Sequence, residues 1–348
     1  MKNIIKNKFI LFFLHFIRKF LKKPSFNKKK QKILIVSTTA LGDTLWATPS
    51  IRSIKKKYPN CFLACLVSPC GEEVLRNNPY IDKIITLKKP LLFYFFSILK
   101  KLKKYHFQKI LIFHFSERAV LPLCYLLNCP IIGTLKINKG LDDLLDEKIE
   151  QKDIHEIQRR FEIIKKINIT SFDPKMDFFI KKNPSFTRNL HFKKPTVLFH
   201  PGSKDPYKRW PKEYFKKLGL LLEKKADIII TGTKKELFIL DYLKKEIPFS
   251  YVFYDKPLND LAILIKKADI IITNDTGPLH LAFALSKKTI GIFMPSNIKH
   301  VGPYHVKSAI IIKKEKPCEK CLKRKCKHPF CFLKIKPEEV FSVCEKIL

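Results

Sequence analysis

The segment Asn274-Asp275-Thr276-Gly277-Pro278-Leu279-His280 decides the fold, because it joins a strand pattern to a helix pattern. An apolar run at residues 268–273 predicts a buried strand, and the helix formers of residues 281–285 follow the segment. The segment is therefore a tight turn whose glycine permits a close approach of a ligand. The helix start presents unpaired N–H groups and a positive dipole end, which suit a phosphate. Asp275 is placed to accept hydrogen bonds from ribose hydroxyls, and capping of the helix by Asp275 or Thr276 is the equally simple alternative.

Outward from this turn, apolar runs that predict strands alternate with helical patterns. The predicted strands cover residues 32–36, 62–67, 84–87, 109–113 and 131–133, and then residues 196–200, 227–231, 251–253, 270–273, 289–293 and 309–312. Such alternation is typical of parallel sheets covered by helices. The polar segment 181–185 separates the two sets. The sequence therefore predicts an α/β fold of two Rossmann-like domains facing a cleft, over residues 31–185 and 186–348, after a head of residues 1–30.

Two candidate functional residues follow predicted strands, one in each domain. Asp43 comes after the first strand, and Asp43 or Thr44 is predicted to cap a helix that runs to about Lys57. Gly277 follows the fourth strand of the second set. Ligands of open α/β sheets bind beyond the carboxyl ends of the strands, so both positions are candidates for a site.

The chain is strongly basic: 69 Lys and Arg stand against 31 Asp and Glu, which gives a net charge of +38. Such a charge favours nucleic acid, an anionic membrane surface or an anionic substrate as partner. The sequence contains no helix-turn-helix, zinc-finger or RNP signature, so a nucleic-acid-binding protein is the weaker alternative and no nucleic acid is expected as a partner. Ten cysteines without a credible secretory signal do not indicate a disulfide framework.

The positive charge is densest in the head, where residues 1–32 hold eleven Lys or Arg and no acid. The aromatic, apolar run at residues 9–17 is too short to span a bilayer, which takes about 20 residues. The pattern favours a helix lying in an anionic membrane interface. A disordered basic tail and a helix docked on the protein are the alternatives. Residues 90–104 repeat the combination of aromatic residues and lysines, either as a core helix or as a second membrane contact.

Three further segments follow strands of the second domain. Residues 200–211 contain Ser203 and Lys208, residues 231–236 end in Glu236, and the third segment is Val301-Gly302-Pro303-Tyr304. A lysine can neutralise a diphosphate, and a glutamate can hold a ribose. A surface lysine and a first-turn acid favoured by the helix dipole are the plain alternatives. The sequence contains neither a P-loop nor a dinucleotide fingerprint.

Taken in order, five motifs resemble glycosyltransferase family 9, the ADP-heptose:lipopolysaccharide heptosyltransferases. They are LGDTLWATPSIRSIKKKYP, HPGSKDPYKRWP, TGTKKE, NDTGPLHLAFAL and VGPY. The resemblance covers roughly residues 32–340, and its most specific parts are the Gly-Asp after the first strand and the Asp-Thr-Gly-Pro-x-His block. The chain departs from the family pattern twice: Met294-Pro295-Ser296 replaces a usual glycine, and Ser286-Lys287-Lys288 replaces a glycine-containing turn.

The resemblance implies a GT-B fold and an inverting transfer that needs no metal and no cofactor. Asp43 would be the general base that deprotonates the acceptor hydroxyl, and Lys208 would stabilise the diphosphate leaving group. The nucleotide-sugar site would consist of Ser203, Lys208, Glu236, Asp275, Thr276, Gly277, Leu279 and His280. These roles agree with the chemistry, because sugar transfer requires a base on the acceptor and positive charge on the departing diphosphate.

The resemblance also implies the partners and the place of action. The donor is a nucleotide sugar, with ADP-heptose expected, and the acceptor is an anionic lipid-linked saccharide, the lipopolysaccharide inner core. The enzyme is then expected to be cytoplasmic and peripheral on the cytoplasmic face of the inner membrane. A related transferase that uses another nucleotide sugar for a cell-surface glycan is the alternative among enzymes.

A cysteine cluster lies near the end of the chain, at Cys318, Cys321, Cys326 and Cys331. This spacing can hold zinc tetrahedrally as a structural site. Reduced thiols in a compact loop are the preferred interpretation, because the resemblance supplies no metal role for such a pattern and the surrounding lysines repel a cation. No bound metal is therefore predicted.

Overall fold

The computed structural model describes residues 2–22, 31–88, 90–187, 191–294, 296–315, 318 and 326–348. The chain forms two compact units, unit 1 (Met1–Asp177) and unit 2 (Phe178–Leu348). The polar segment 181–185 falls inside unit 2 rather than at the division, because its backbone and side chains bond to the helix of residues 258–267. The N–H and carbonyl of Lys181 pair with the side-chain amide of Asn259.

Unit 1 is a parallel α/β sheet. Its strands are β1 (Lys32–Ser37), β2 (Phe62–Val67), β3 (Lys83–Thr86), β4 (Lys109–His114), β5 (Ile131–Thr134) and β6 (Glu147–Ile149). Its helices are α1 (Lys2–Phe20), α2 (Leu41–Leu45), α3 (Thr48–Lys57), α4 (Pro69–Leu75), α5 (Leu91–Lys103), α6 (Val120–Tyr125) and α7 (Glu156–Lys165). The strands lie in the order β3-β2-β1-β4-β5-β6. The order reverses between β1 and β4, and ligands of such sheets bind beyond the strand ends at this switch point.

Unit 2 repeats the architecture. Its strands are β7 (Thr196–His200), β8 (Asp227–Gly232), β9 (Tyr251–Tyr254), β10 (Ile270–Asn274), β11 (Lys288–Ile292) and β12 (Ala309–Ile312). Its helices are α8 (Pro184–Thr187), α9 (Lys212–Leu222), α10 (Leu237–Glu246), α11 (Leu258–Lys267), α12 (Gly277–Ala284), α13 (Ile298–Val301) and α14 (Pro337–Ile347). The strand order is β12-β11-β10-β7-β8-β9, so the switch point lies between β7 and β10.

Continuous apolar runs explain the central strands of both sheets, which are buried on both faces because helices cover them. Each sheet has its own hydrophobic core. In unit 2, Trp210 is fully buried, and its indole N–H donates to the carbonyl of Ile335 over 3.0 Å. This bond fastens the loop after β7 to the segment before α14, which holds the loop close to the sheet edge.

The prediction of two Rossmann-like domains is confirmed, and of the twelve strands that the described residues form, eleven coincide with predicted ones. The sequence did not predict β6, a short edge strand with two charged residues among its three. The single helix predicted up to Lys57 is wrong, because the chain forms α2 and α3 with a break at residues 46 and 47. Pro49 explains the break: its ring fits the first turn of a new helix but not a helix interior.

The head of the chain forms α1, and α1 packs against α6. Leu14 is buried in the unit 1 core, and Arg18 bonds to Asp146 over 3.0 Å and lies 4.2 Å from the ring of Tyr125. The described part of the head is therefore a helix docked on unit 1, and its removal would expose part of the core. Residues 23–30 of the head lie outside the described residues. The predicted contact with an anionic membrane interface concerns the other face of α1 and stays a prediction. Among the described residues, no helix is long and apolar enough to cross a bilayer.

Candidate active site

The turn of residues 274–280 lies at the carboxyl edge of the unit 2 sheet, where the loops after β7 and β10 meet. Lys208 of the β7 loop donates to Oδ2 of Asp275 over 2.6 Å, although 67 residues separate the two in sequence. The hydroxyl of Ser296 donates to the same oxygen. The Asp275 side chain is 4% exposed and that of Lys208 is 23% exposed, so Lys208 is the more accessible member of this pair.

The start of α12 offers further polar groups at the same edge. Thr276 is the N-cap residue, but its hydroxyl makes no capping bond, and its buried oxygen has no partner among the described residues. Gly277 begins the helix. The predicted residue His280 is buried, with Nε2 3.9 Å from Oδ1 of Asp275. The predicted residue Leu279 is also buried and packs toward β11, so its side chain supports the turn from the core.

Asn274 holds the two loops together and was not among the predicted site residues. Its side chain is fully buried, and Oδ1 accepts the N–H of Trp210 over 3.0 Å. Its amide donates to the carbonyl of Pro201 over 2.8 Å and to that of Gly202 over 3.3 Å. These bonds fix both ends of the segment that carries Lys208. Since Asn274 ends β10, they place that segment beside Asp275.

Glu236 lies at the same edge, but one of its two carboxylate oxygens is already bonded to Thr233. Its Oε2 accepts the N–H and the hydroxyl of Thr233, both over 2.9 Å, which forms a capping box at the start of the helical turn. A Cβ on Gly202 would lie 2.1 Å from Oε1, so only glycine allows the β7 loop to approach this carboxylate. Burial lowers the pKa of the neighbouring His200, although the negative charge of Glu236 acts to raise it.

Ser203 is buried in the β7 loop, at the base of the segment that leads to Lys208. Its hydroxyl accepts the N–H of Asp205 over 3.3 Å. Its carbonyl accepts two hydrogen bonds from the guanidinium of Arg209, over 2.8 and 2.6 Å. Ser203, Lys208, Glu236, Asp275, Thr276 and Gly277 are thus brought to one edge of the unit 2 sheet, as predicted from their positions after strands.

Asp43 lies at the switch point of the unit 1 sheet, in the loop and helix after β1. It sits in the first turn of α2, whose N-cap is Ala40, so the prediction that Asp43 or Thr44 caps the helix is wrong. The Asp43 side chain reaches back, and Oδ2 accepts the N–H of Ala40 over 3.2 Å. Its other oxygen, Oδ1, accepts from the guanidinium of Arg160 over 3.4 Å. The side chain is 19% exposed, which leaves the carboxylate accessible to a substrate hydroxyl.

Helix α7 contributes a cluster of buried charged residues that contacts Asp43 through Arg160. Arg160 is fully buried and donates to Glu156 over 2.7 Å, and Arg159 donates to the same carboxylate. Burial alone raises the pKa of Glu156, but the charges and hydrogen bonds of the two arginines outweigh it and bring the pKa to about 2. Burial also lowers the pKa of His114 at the end of β4, although the negative charge of Asp43 acts to raise it. Glu156 is therefore a carboxylate beside two cations.

Four residues of these two sites were missed from the sequence: Asn274, Ser296, Glu156 and Arg160. Arg160 carried a usable signal, because it lies on the apolar stripe of α7 formed by Ile157, Phe161 and Ile164. A charge on such a stripe is buried and must be paired. Ser296 belongs to one of the two departures from the family pattern, and its bond to Asp275 shows that this departure reaches the site.

The cysteine cluster lies partly outside the described residues, because Cys321 is not among them. Among the described residues, Cys318, Cys326 and Cys331 form no disulfide with one another. Over the ranges of the chain that the structure describes, no three His, Cys, Asp or Glu side chains are grouped as metal ligands. The preference for reduced thiols stays a prediction.

Comparisons with known proteins identify the family and the fold. The family model for glycosyltransferase family 9 (heptosyltransferase) matches residues 133–330. The lipooligosaccharide heptosyltransferase 2 of Campylobacter jejuni is 27% identical over 330 residues, which cover 91% of this chain and 98% of the relative.

Solved structures show the same fold at low sequence identity. A glycosyl transferase family 9 structure from Veillonella parvula has a TM-score of 0.81 at 18% identity and covers 93% of this chain and 98% of its own. The E. coli heptosyltransferase WaaC with ADP-2-deoxy-2-fluoro heptose has a TM-score of 0.71 at 17% identity and covers 91% of this chain and 99% of its own. The fold is therefore the GT-B architecture that the motifs implied. With the family model matching more than half of its length, the chain belongs to glycosyltransferase family 9, the heptosyltransferases.

Proposed function

We propose that this enzyme transfers heptose from ADP-heptose to the lipopolysaccharide inner core, with inversion at the anomeric carbon. The observation that carries the proposal is the Lys208–Asp275 pair at the switch point of unit 2, beside the start of α12. The names of the relatives support the choice of substrate: one is a lipooligosaccharide heptosyltransferase, and one was solved with an ADP-heptose analogue.

Unit 2 binds the donor in this proposal. The ammonium group of Lys208 and the first N–H groups of α12 stabilise the negative charge that grows on the diphosphate as it leaves. The hydroxyl of Thr276 adds a hydrogen bond to a phosphate oxygen, which gives this buried oxygen a partner. Oδ1 of Asp275 and Oε1 of Glu236 accept from sugar or ribose hydroxyls, since the second oxygen of each carboxylate is already bonded within the protein.

Unit 1 activates the acceptor. Asp43 takes the proton of the acceptor hydroxyl while that oxygen attacks the anomeric carbon and the bond to the diphosphate breaks. The diphosphate leaves with the bonding electron pair, so its charge must be met on the donor side by Lys208. A positioned general base contributes about 10²–10⁴-fold to such a rate.

Calorimetry with nucleoside diphosphates tests the donor site. ADP should bind, and Lys208→Ala should weaken that binding, because the variant loses the exposed cation of the site. Lys204→Ala is the matched control, since Lys204 lies in the same loop but its side chain is exposed to solvent. Equal ADP affinity in both variants and the wild type would contradict a diphosphate site at Lys208, and preference for UDP or GDP would point to another nucleotide sugar.

We further propose that the enzyme is cytoplasmic and peripheral on the cytoplasmic face of the inner membrane, where an anionic lipid-linked acceptor lies. The support comes from the outer face of α1. Ile10, Leu14 and Arg18 face the protein, whereas Phe12, Phe16 and Phe20 repeat every four residues on the opposite face and are exposed by 55–74%. Exposed aromatic rings above basic residues are typical of a helix lying in an anionic interface.

The second aromatic and basic segment, α5, also has one face buried in unit 1 and one face with exposed aromatic rings. Leu91, Ile98 and Leu102 are buried in the unit 1 core, while Phe93 and Phe96 are more than 80% exposed. Four lysines follow within the last turn and just beyond it: Lys100, Lys101, Lys103 and Lys104. Both α1 and α5 pack against α6, so the two aromatic faces belong to one region of unit 1. A basic residue near an anionic bilayer contributes about 1 kcal/mol of attraction.

Vesicle co-sedimentation tests this location without deleting the docked head. A variant with Phe12→Gln, Phe16→Gln and Phe20→Gln should sediment less with phosphatidylglycerol vesicles at low salt than the wild type does. Phe330→Gln is the matched control, because Phe330 is 66% exposed but belongs to unit 2. Unchanged sedimentation of the triple variant would assign the membrane contact to α5 alone if Phe93→Gln and Phe96→Gln abolish it. Unchanged sedimentation of both would contradict the proposal.

A further inference from the structure

Arg160 is the most deeply buried cation in contact with the Asp43 site. Its side chain is fully buried and lies 5.6 Å from the ring of Trp46. One terminal nitrogen donates to Glu156 twice, to the carboxylate over 2.7 Å and to the carbonyl over 2.8 Å. The other terminal nitrogen donates to Oδ1 of Asp43 over 3.4 Å. A charge so far from water persists only when it is paired and hydrogen-bonded.

The two ion pairs of Arg160 differ in strength. Charge-assisted N–H···O bonds have typical lengths of about 2.7–2.9 Å, so the contact with Glu156 is a full bond and the contact with Asp43 is a loose one. The other bond to Asp43, from the N–H of Ala40 over 3.2 Å, is loose as well. Asp43 is thus held in orientation at both oxygens without being saturated, which is what a proton acceptor needs.

We propose that Arg160 is a positioning residue for Asp43, and that Glu156 holds Arg160 in place for this task. The inference rests on the proposed function, in which Asp43 takes the proton of the acceptor hydroxyl. When the proton arrives, Asp43 becomes neutral, and Arg160 would be left as a lone buried cation if Asp43 were its only partner. Glu156 remains ionised beside it, so the guanidinium stays paired before and after the transfer.

A double-mutant comparison separates positioning from mere structural support. Arg160→Ala should lower kcat by about 10²-fold, the usual effect of a misplaced catalytic group, with a much smaller change in KM for the donor. In an enzyme that already carries Asp43→Ala, the same substitution should cost nothing further, because there is no carboxylate left to orient. Arg52→Ala is the matched control: Arg52 is also buried in unit 1, but it pairs with Asp177 and Asp173. It should lower thermal stability and leave kcat unchanged.

Arg160→Met serves if the alanine variant does not fold, since it fills similar volume and leaves Arg159 as counter-ion of Glu156. The urea unfolding transition of each variant reports whether unit 1, which contains residue 160, is folded. An unchanged kcat in a folded Arg160 variant would overturn the proposal. So would a double variant in which the fold-losses of kcat from Asp43→Ala and from Arg160→Ala multiply. Full activity of Asp43→Ala alone would instead refute the proposed base, which distinguishes failure of the proposed function from failure of this inference.

Discussion

Asn274→Ala should damage both the stability of unit 2 and its affinity for ADP. The substitution removes three hydrogen bonds, those to the N–H of Trp210 and to the carbonyls of Pro201 and Gly202. At about 1 kcal/mol per bond, the free energy of unfolding falls by roughly 3 kcal/mol. The fall is not smaller than this, because the buried N–H of Trp210 is left without an acceptor. Because these bonds fix the segment that carries Lys208, part of the loss should appear in ligand binding. A share of about 1.4 kcal/mol raises the Kd for ADP tenfold.

Urea unfolding and calorimetry with ADP measure the two effects separately. Asn259→Ala is the matched control, because the half-buried side chain of Asn259 also bonds backbone groups, the N–H and the carbonyl of Lys181, but does not hold the loop that carries Lys208. Asn274→Asp adds a second check: it keeps an acceptor for Trp210 but sets a carboxylate against two carbonyls, so it should be at least as harmful. If Asn274→Ala unfolds at the wild-type urea concentration and binds ADP equally well, the view that Asn274 fastens the donor loop is refuted.

Three further outcomes are expected. Activity should survive EDTA, because Lys208 and the start of α12 supply the positive charge at the diphosphate; loss of activity that Mg²⁺ or Mn²⁺ restores would contradict this. Ser286→Gly should raise the thermal midpoint by the equivalent of about 1 kcal/mol, since Ser286 has φ of 55°, a conformation that disfavours every residue except glycine, and an unchanged or lower midpoint would speak against strain there. The pKa of Glu156 is depressed from 4.5 to about 2, so the stability it contributes is complete above pH 4.5 and is lost as the pH falls toward 2. In urea titrations at decreasing pH, the free energy of unfolding should therefore fall more for the wild type than for Glu156→Gln. An equal fall with pH in the two proteins would rule this out.

The elements that the sequence predicted are those whose cause is local. Strands such as β2, β7 and β12 are unbroken apolar runs between turn residues, and their predicted bounds match the structure. Strand β6 was missed because its pairing with β5 depends on a neighbour, not on its own composition. The break before α3 was missed because the helical pattern continues across it, and only Pro49 marks it.

The site divides in the same way. Asp43, Lys208 and Asp275 follow strands, and the rule for open sheets was enough to place them at sheet edges. Their partners come from distant parts of the chain: Arg160 reaches Asp43 across 117 residues, and Ser296 reaches Asp275 across 21. Which charged or polar residue arrives at such an edge depends on how the helices pack, and periodicity alone does not contain that information.

The most direct test of the account is a transfer assay with the purified enzyme and a soluble, deacylated inner-core acceptor. ADP-heptose, UDP-glucose and GDP-mannose are offered in parallel, and mass spectrometry measures the mass added to the acceptor. The account predicts one heptose added from ADP-heptose, with release of ADP. Transfer of a hexose from UDP-glucose or GDP-mannose, with none from ADP-heptose, would contradict it.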